Sequence, residues 1–319
     1  CASLGGGAGG KVVVVGGGFT GLWSAFHLKT AEPELKVGLL ESHRIGHGPS
    51  GRNGGFVDAM WVSFASLVKR YSSEPALRLA RASEQSVRQV GQFCEEHEVD
   101  AWYRLSGYLN VSTAPAQDGT WAGNLKAMRE AGIIDGPHEL TAARVQEICA
   151  SPAFRGGVHY GVAATVQPAR LAFGIRDACA ALGVELFENS PAIRIEDGPG
   201  GVQVETPGGR VRAQKLILSN GPALAGRGSP LSGAVTLASS HMVITEPVPE
   251  VIEELGWTGG EAISDCRALL TYFRTTPDGR IAFGWGGGRI AAGGRRFGRA
   301  ELDAEVIEGV ITGLKRYFP

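Results

Sequence analysis

The stretch Lys11-Val-Val-Val-Val15-Gly16-Gly17-Gly18-Phe19-Thr20-Gly21 decides the fold. Four consecutive valines form a short, unbroken apolar run, the pattern of a strand buried on both faces of a parallel sheet. Glycines follow at G-x-G-x-x-G spacing. Gly16 permits a tight turn, Gly18 lets a pyrophosphate approach the backbone, and Gly21 lets the next helix pack closely on the strand. That helix carries Leu22, Ala25 and Phe26 on one face and should end before Pro33. Lys36-Val-Gly-Leu-Leu40 reads as a second buried strand with Glu41 at its carboxyl end. Glu41 lies 20 residues beyond Gly21, where a carboxylate takes a ribose hydroxyl and disfavours a 2′-phosphate. Strand, glycines, helix, strand and acid occur in the order of a Rossmann-like dinucleotide-binding unit, which places the chain in the α/β class.

Just upstream, the glycines of Gly5–Gly10 with Lys11 copy the spacing of a triphosphate-binding loop. Val12 stands where Ser or Thr should meet a magnesium ion, and the glycines precede the strand instead of following it, so that reading is rejected. Residues 1–10 are expected to form a flexible leader. The chain starts at Cys, so it reads as a partial or processed sequence, with a lipidated Cys1 as the lesser alternative.

Downstream, Arg44-Ile-Gly-His-Gly48-Pro-Ser50-Gly-Arg52-Asn53-Gly54-Gly55-Phe56 is a second glycine-rich polar loop directly after the ribose acid. A nicotinamide-binding domain would enter another helix and strand here. A loop of this kind can follow a pyrophosphate and ribityl chain and present backbone N–H groups to a flavin ring, so FAD is preferred over NAD. Arg52 and Asn53, polar and set among glycines, are assigned to the cofactor's vicinity.

Composition sets the outer limits. With 319 residues, two domains are expected; the net charge of −1 offers no basic field for nucleic acid. No apolar run reaches the length of a membrane span. The five cysteines are scattered without C-x-x-C spacing, which argues against a metal site or disulfide framework and for a reducing, cytoplasmic setting. Helical spacing marks 74–98, 124–131 and 141–148, alternation marks a strand over 101–112, and hairpin turns fall at 197–201 and 207–209. The expected organisation is an FAD-binding domain of 11–58 and 158–225, interleaved with a sheet-and-helix (α+β) substrate cap of 59–157 and 226–319.

The segments VVVVGGGFTGL, LLES and GPSGRNGG together resemble the D-amino-acid-oxidase-type FAD-dependent superfamily, most closely its bacterial γ-glutamylputrescine-oxidase-like members. Softer similarities continue through Ala164-Thr-Val-Gln-Pro168, Lys215-Leu-Ile-Leu-Ser-Asn-Gly221 and the region 272–284. The resemblance implies cofactor contacts from Gly16, Gly17, Gly18, Phe19, Thr20, Gly21, Glu41, Ser42, Gly48, Ser50, Arg52, Asn53, Gly54, Gly55, Ile193 and Gly221. It places Tyr272 and Arg274 in the substrate pocket and makes the substrate a small amine or amino acid. It also implies that a further strand, a flavin-contacting loop and a closing helix should follow residue 319, so the chain reads as truncated.

Three functions follow. One is an amine or amino-acid oxidase that removes a hydride to flavin N5 and uses oxygen as acceptor. Another is a flavin dehydrogenase passing electrons to a quinone or carrier. The last is a truncated, catalytically silent cofactor-fold protein. His241 and Trp285 are read as packing residues.

Overall fold

Residues 8–9, 12–225, 233–291 and 302–319 are described by a computed structural model of the protein. The expected leader lies outside the described residues except for Ala8–Gly9, which pair in parallel with Val211 and Arg212. The chain divides into two compact units. The first comprises Cys1–Asn53, Glu96–Ala101 and Gln167–Val235; the second comprises Gly54–Glu95, Trp102–Val166 and Thr236–Pro319. The chain crosses between the units after 53, 95, 101, 166 and 235, where the sequence suggested 58, 157 and 225.

In the first unit, strands Val12–Val15 and Val37–Leu40 lie at the centre of a four-stranded parallel sheet, flanked by Lys215–Leu218 and Glu185–Phe187. Both central strands are buried along their whole length, as unbroken apolar runs require. Val13, Val14 and Leu39 are fully enclosed, each contributing about 1.5–3 kcal/mol of apolar burial. Helix Phe19–Ala31 buries Gly21, Leu22 and Ala25 and is packed by helix Pro168–Ala181, whose first turn is capped by Gln167 accepting from the Arg170 amide at 2.7 Å. The first helix ends with Glu32 N–H on the Leu28 carbonyl, one residue short of Pro33. Beside this sheet, strands Arg194–Gly198, Gly201–Thr206 and Gly209–Ala213 form the two expected hairpins. Val202, Val204, Val211 and Ala213 share one core with Val13, Val15 and Leu40.

The second unit is built on a seven-stranded mixed sheet in the order His241–Ile244, Ile281–Trp285, Thr271–Thr275, Ala262–Asp265, Tyr108–Val111, Gly156–Tyr160, His138–Thr141. A smaller sheet joins Phe56–Asp58, Ala163–Thr165 and Arg104–Leu105. The single strand expected over 101–112 is therefore two strands in two sheets. The break is Gly107, held at φ +83° with its N–H on the Ala163 carbonyl and its own carbonyl on Ala262 N–H. Alternation cannot show such a kink, because the residue that makes it has no side chain. Helix Ser73–Glu96 and the helices Ala122–Glu130 and Ala142–Ile148 match the expected segments to within a few residues. Helix Ala304–Tyr317 completes an aromatic core with Phe154, Trp257, Phe273 and Phe283. The fold is thus an α/β Rossmann-like unit interleaved with a sheet-and-helix unit. Among the described residues no helix is long and apolar enough to cross a membrane, and no cluster of metal-ligating side chains occurs.

Candidate functional site

The carboxyl ends of the central strands in the first unit converge on the glycine turn. Gly16 donates to the Leu40 carbonyl at 2.8 Å and takes φ +114°, and a Cβ there would lie 2.5 Å from the Ser219 carbonyl. Gly18, which has no side chain to cap it, starts helix Phe19–Ala31, and no acidic residue sits in the first turn. The positive end of the helix dipole therefore opens onto the glycine turn, where it favours an anion. Gly21 is packed so closely that a Cβ would fall 1.9 Å from the Gly16 carbonyl oxygen.

Glu41 ends the second strand and reaches back to this turn. Its Oε2 accepts the Gly17 N–H at 2.7 Å, while Oε1 accepts the His43 N–H at 2.9 Å and the Ser42 hydroxyl at 3.0 Å. The second glycine loop is bonded to the same place: Gly46 N–H donates to Gly17 O at 3.1 Å, and Ser50 Oγ accepts the Phe19 amide at 3.0 Å. Gly48 precedes the turn Pro49–Gly51, and Asn53 Nδ2 bonds the carbonyls of Ser50 and Pro49 at 2.8 and 3.2 Å. Arg52 and Thr20 are exposed beside them. Residues 16–21, 41–42 and 46–53 therefore form one hydrogen-bonded rim.

Other expected contacts fall elsewhere. Ile193 is 62% exposed just before the strand Arg194–Gly198, and its N–H is taken by the Glu205 carbonyl. Gly221 opens a short 3-10 turn at φ +48° after the strand Lys215–Leu218. Between them stand two residues missed in the sequence. Ser219 Oγ donates toward the Val15 and Gly16 carbonyls, each at 3.0 Å, and locks the turn. Asn220, next in the chain, has a buried Oδ1 without a hydrogen-bond partner among the described residues. Its backbone N would stand 2.8 Å from a Cβ at Gly16, so the residue that carries this orphaned acceptor borders the glycine turn. A Ser-Asn-Gly run ending a buried strand was the available signal.

Gly54 and Gly55 belong to the second unit, where they meet the two residues expected in the pocket. Arg274 Nε donates to the Gly54 carbonyl at 2.7 Å, and Nη1 donates to Thr275 O at 3.2 Å. Arg274 is buried and has no ion-pair partner among the described residues. Lost hydration lowers its pKa to about 10, with Asp278 acting weakly the other way. A Cβ on Gly54 would touch the Tyr272 ring at 2.8 Å, and one on Gly55 would strike the Val166 carbonyl at 2.1 Å. The Tyr272 hydroxyl bonds Ser240 Oγ at 2.7 Å, and its ring meets Phe56 edge-on at 5.8 Å. Phe56 also meets Tyr108 at 6.4 Å. Two residues past Phe56 stands Asp58, unremarked in the sequence. It is exposed by area, yet protein crowds it enough that lost hydration lifts its carboxyl from the usual carboxylate range to about 7. His241 is a buried packing residue whose Nε2 accepts the Asp303 amide at 3.3 Å.

A family model described as FAD dependent oxidoreductase matches residues 11–319. The chain belongs to the FAD-dependent oxidoreductase family. Among curated relatives, it is 31% identical over 288 residues to the probable oxidoreductase OrdL of Rhizobium meliloti (strain 1021), covering 86% of this chain and 63% of that protein. It is 28% identical to the gamma-glutamylputrescine oxidoreductase of Escherichia coli (strain K12), covering 97% of this chain and 70% of that protein. The chain thus spans about two thirds of the length of these relatives. In fold it superposes on glycine oxidase from Geobacillus kaustophilus with a TM-score of 0.74 at 18% identity, covering 98% of this chain and 78% of that one. FAD is the cofactor of the family, and the first unit fits it: closely packed glycines at the dinucleotide turn, a helix N-terminus with no acidic residue in its first turn, and an orphaned acceptor at Asn220.

Proposed function

We propose that this protein binds FAD through Gly16–Gly21, Glu41, Ser42, Gly48, Ser50, Arg52, Asn53, Gly54, Gly55, Ile193 and Gly221, and oxidises an amine or amino acid with oxygen as acceptor, giving hydrogen peroxide. The observation that carries the reading is the bonding of the second glycine loop to the dinucleotide turn, through Gly46 to Gly17 and Ser50 to Phe19. This sets the second glycine loop beside the dinucleotide turn, where its backbone can follow the ribityl chain that a flavin dinucleotide has and a nicotinamide one lacks. When bound, the flavin supplies hydride acceptance at N5 and onward transfer of two electrons. The chain's own groups have other tasks. The helix amides of 19–21 offset phosphate charge, Glu41 accepts ribose hydroxyls, and Tyr272 shapes the wall that meets the substrate. The free cysteines, three of the four described being buried, accord with a cytoplasmic setting.

An absorbance spectrum of the purified protein, followed by anaerobic addition of amines and amino acids, tests the reading. A visible flavin band that bleaches and returns on admitting air is the expected result. A band that bleaches and stays bleached in air until a quinone is added would replace oxygen by another acceptor. A colourless protein that cannot be reconstituted with FAD would sink the proposal.

Glu41→Ala removes a carboxylate held by the Gly17 amide. Hydrogen bonds to charged groups contribute about 1.5–3 kcal/mol, so the FAD dissociation constant should rise roughly 10- to 100-fold. Flavin fluorescence titration measures this; a change under about twofold would remove Glu41 from the ribose.

A further inference from the structure

We infer that Asp58 is the residue that recognises the substrate's ammonium group, and that it selects amines lacking an α-carboxylate over amino acids. This rests on the amine- or amino-acid-oxidising reading above and narrows it.

Strand Phe56–Asp58 follows directly from the second glycine loop and pairs with Ala163–Thr165. Residues two apart on a strand share a face, so Asp58 is on the face from which Phe56 meets Tyr108 and Tyr272. Tyr108 is buried with its hydroxyl on Ser264, and the Asp58 carboxylate is close enough to raise the pKa of that tyrosine. Lost hydration alone raises the Asp58 carboxyl; among the described residues no cation offsets it. An accessible carboxylate beside aromatic rings, poorly hydrated and without a counter-ion, is half of a site for an organic cation, with the ring faces supplying the remainder.

An amino acid would need the opposite charge for its carboxylate. Arg274 is the natural partner on this side of the unit, but its Nε and Nη1 are taken by the Gly54 and Thr275 carbonyls, only Nη2 is left to meet a carboxylate, and the residue is 5% exposed. A carboxylate presented to this wall would instead meet the like charge of Asp58. The wall therefore favours a cation and opposes a zwitterion.

The test compares butylamine with 2-aminopentanoic acid, which differ only by the α-carboxylate, on the FAD-loaded protein. Binding is read by calorimetry and reduction by anaerobic bleaching, above the value of about 7 at which Asp58 titrates. Wild type should prefer butylamine. Asp58→Asn should weaken butylamine binding by at least about tenfold and leave 2-aminopentanoic acid unchanged or improved. Asp58→Glu should keep the preference. In the wild type, tetramethylammonium, a cation that cannot be oxidised, should compete with butylamine while acetate does not; this arm stands even if a variant fails to fold. A wild type that prefers the amino acid, competition by acetate alone, or unaltered butylamine binding in FAD-loaded Asp58→Asn would overturn the assignment. If neither compound binds or bleaches the wild type, the amine-oxidising reading falls, and the assignment with it.

Discussion

Gly21→Ala is expected to yield protein purified almost free of FAD, with an affinity at least about 100-fold below wild type. The added methyl would lie 1.9 Å from the Gly16 carbonyl oxygen and 2.6 Å from Ser219 Oγ. Neither can give way cheaply. Gly16 is tied through its amide to Leu40, and Ser219 is tied to both Val15 and Gly16. The helix must therefore move off the strand, at an overpacking cost of about 1–3 kcal/mol. Its displacement carries away the amides that would face the pyrophosphate, including Phe19, now fixed to Ser50. Loss of the melting temperature should be modest, roughly 5 °C, so the cofactor defect will exceed the folding defect. Gly161→Ala is the control, because that residue is exposed, takes no positive φ and has nothing within 4 Å of a Cβ. The flavin-to-protein ratio after purification, with a titration of the stripped protein, separates the two variants. Wild-type affinity in Gly21→Ala would mean that helix and strand are not held as closely as their contact implies.

The parts of the fold legible in the sequence are those whose cause is local. Val12–Val15, the glycine spacing, the helix end before Pro33 and the hairpins at 197–201 and 207–209 each follow from neighbouring residues. Glu41 was legible because a βαβ unit fixes how far the second strand carries it. The residues that complete the cradle were not, since Ser219 acts on Val15 and Gly16 from more than 200 positions away. Asp58 was hidden for a different reason. A single acid after Phe56-Val57 reads as an edge residue until the rings of Tyr108 and Tyr272 are seen to share the environment of Phe56. Gly54 and Gly55 were grouped with the loop before them, yet their close contacts are with Tyr272, Arg274 and Val166. A glycine signals that something approaches its backbone; which element approaches is decided by topology.

Asp265→Ala should destabilise the protein by about 3–5 kcal/mol, lowering the melting temperature by roughly 10 °C. Asp265 is 1% exposed at the end of strand Ala262–Asp265 and serves four donors. Its Oδ2 accepts the Tyr317 hydroxyl at 2.6 Å and Arg267 Nε at 2.9 Å; its Oδ1 accepts the Thr271 amide at 2.9 Å and the Arg267 amide at 3.3 Å. Alanine leaves these donors facing a space without an acceptor, and an uncompensated buried donor costs more than a hydrogen bond contributes. The consequence reaches the candidate site through the chain. Thr271 begins the strand that carries Tyr272 and Arg274, and its amide is fixed by Asp265. Tyr317 closes the aromatic core from helix Ala304–Tyr317. Asp265→Asn keeps an acceptor for Thr271 and should lose roughly half as much. Tyr317→Phe deletes one donor while keeping its ring against Phe273 and Phe283, so its loss should be about 1–2 kcal/mol. Thermal melts of the three variants should rank Asp265→Ala lowest and Tyr317→Phe highest. A melting temperature for Asp265→Ala within about 2 °C of wild type would show that other bonds set the start of the Tyr272 strand.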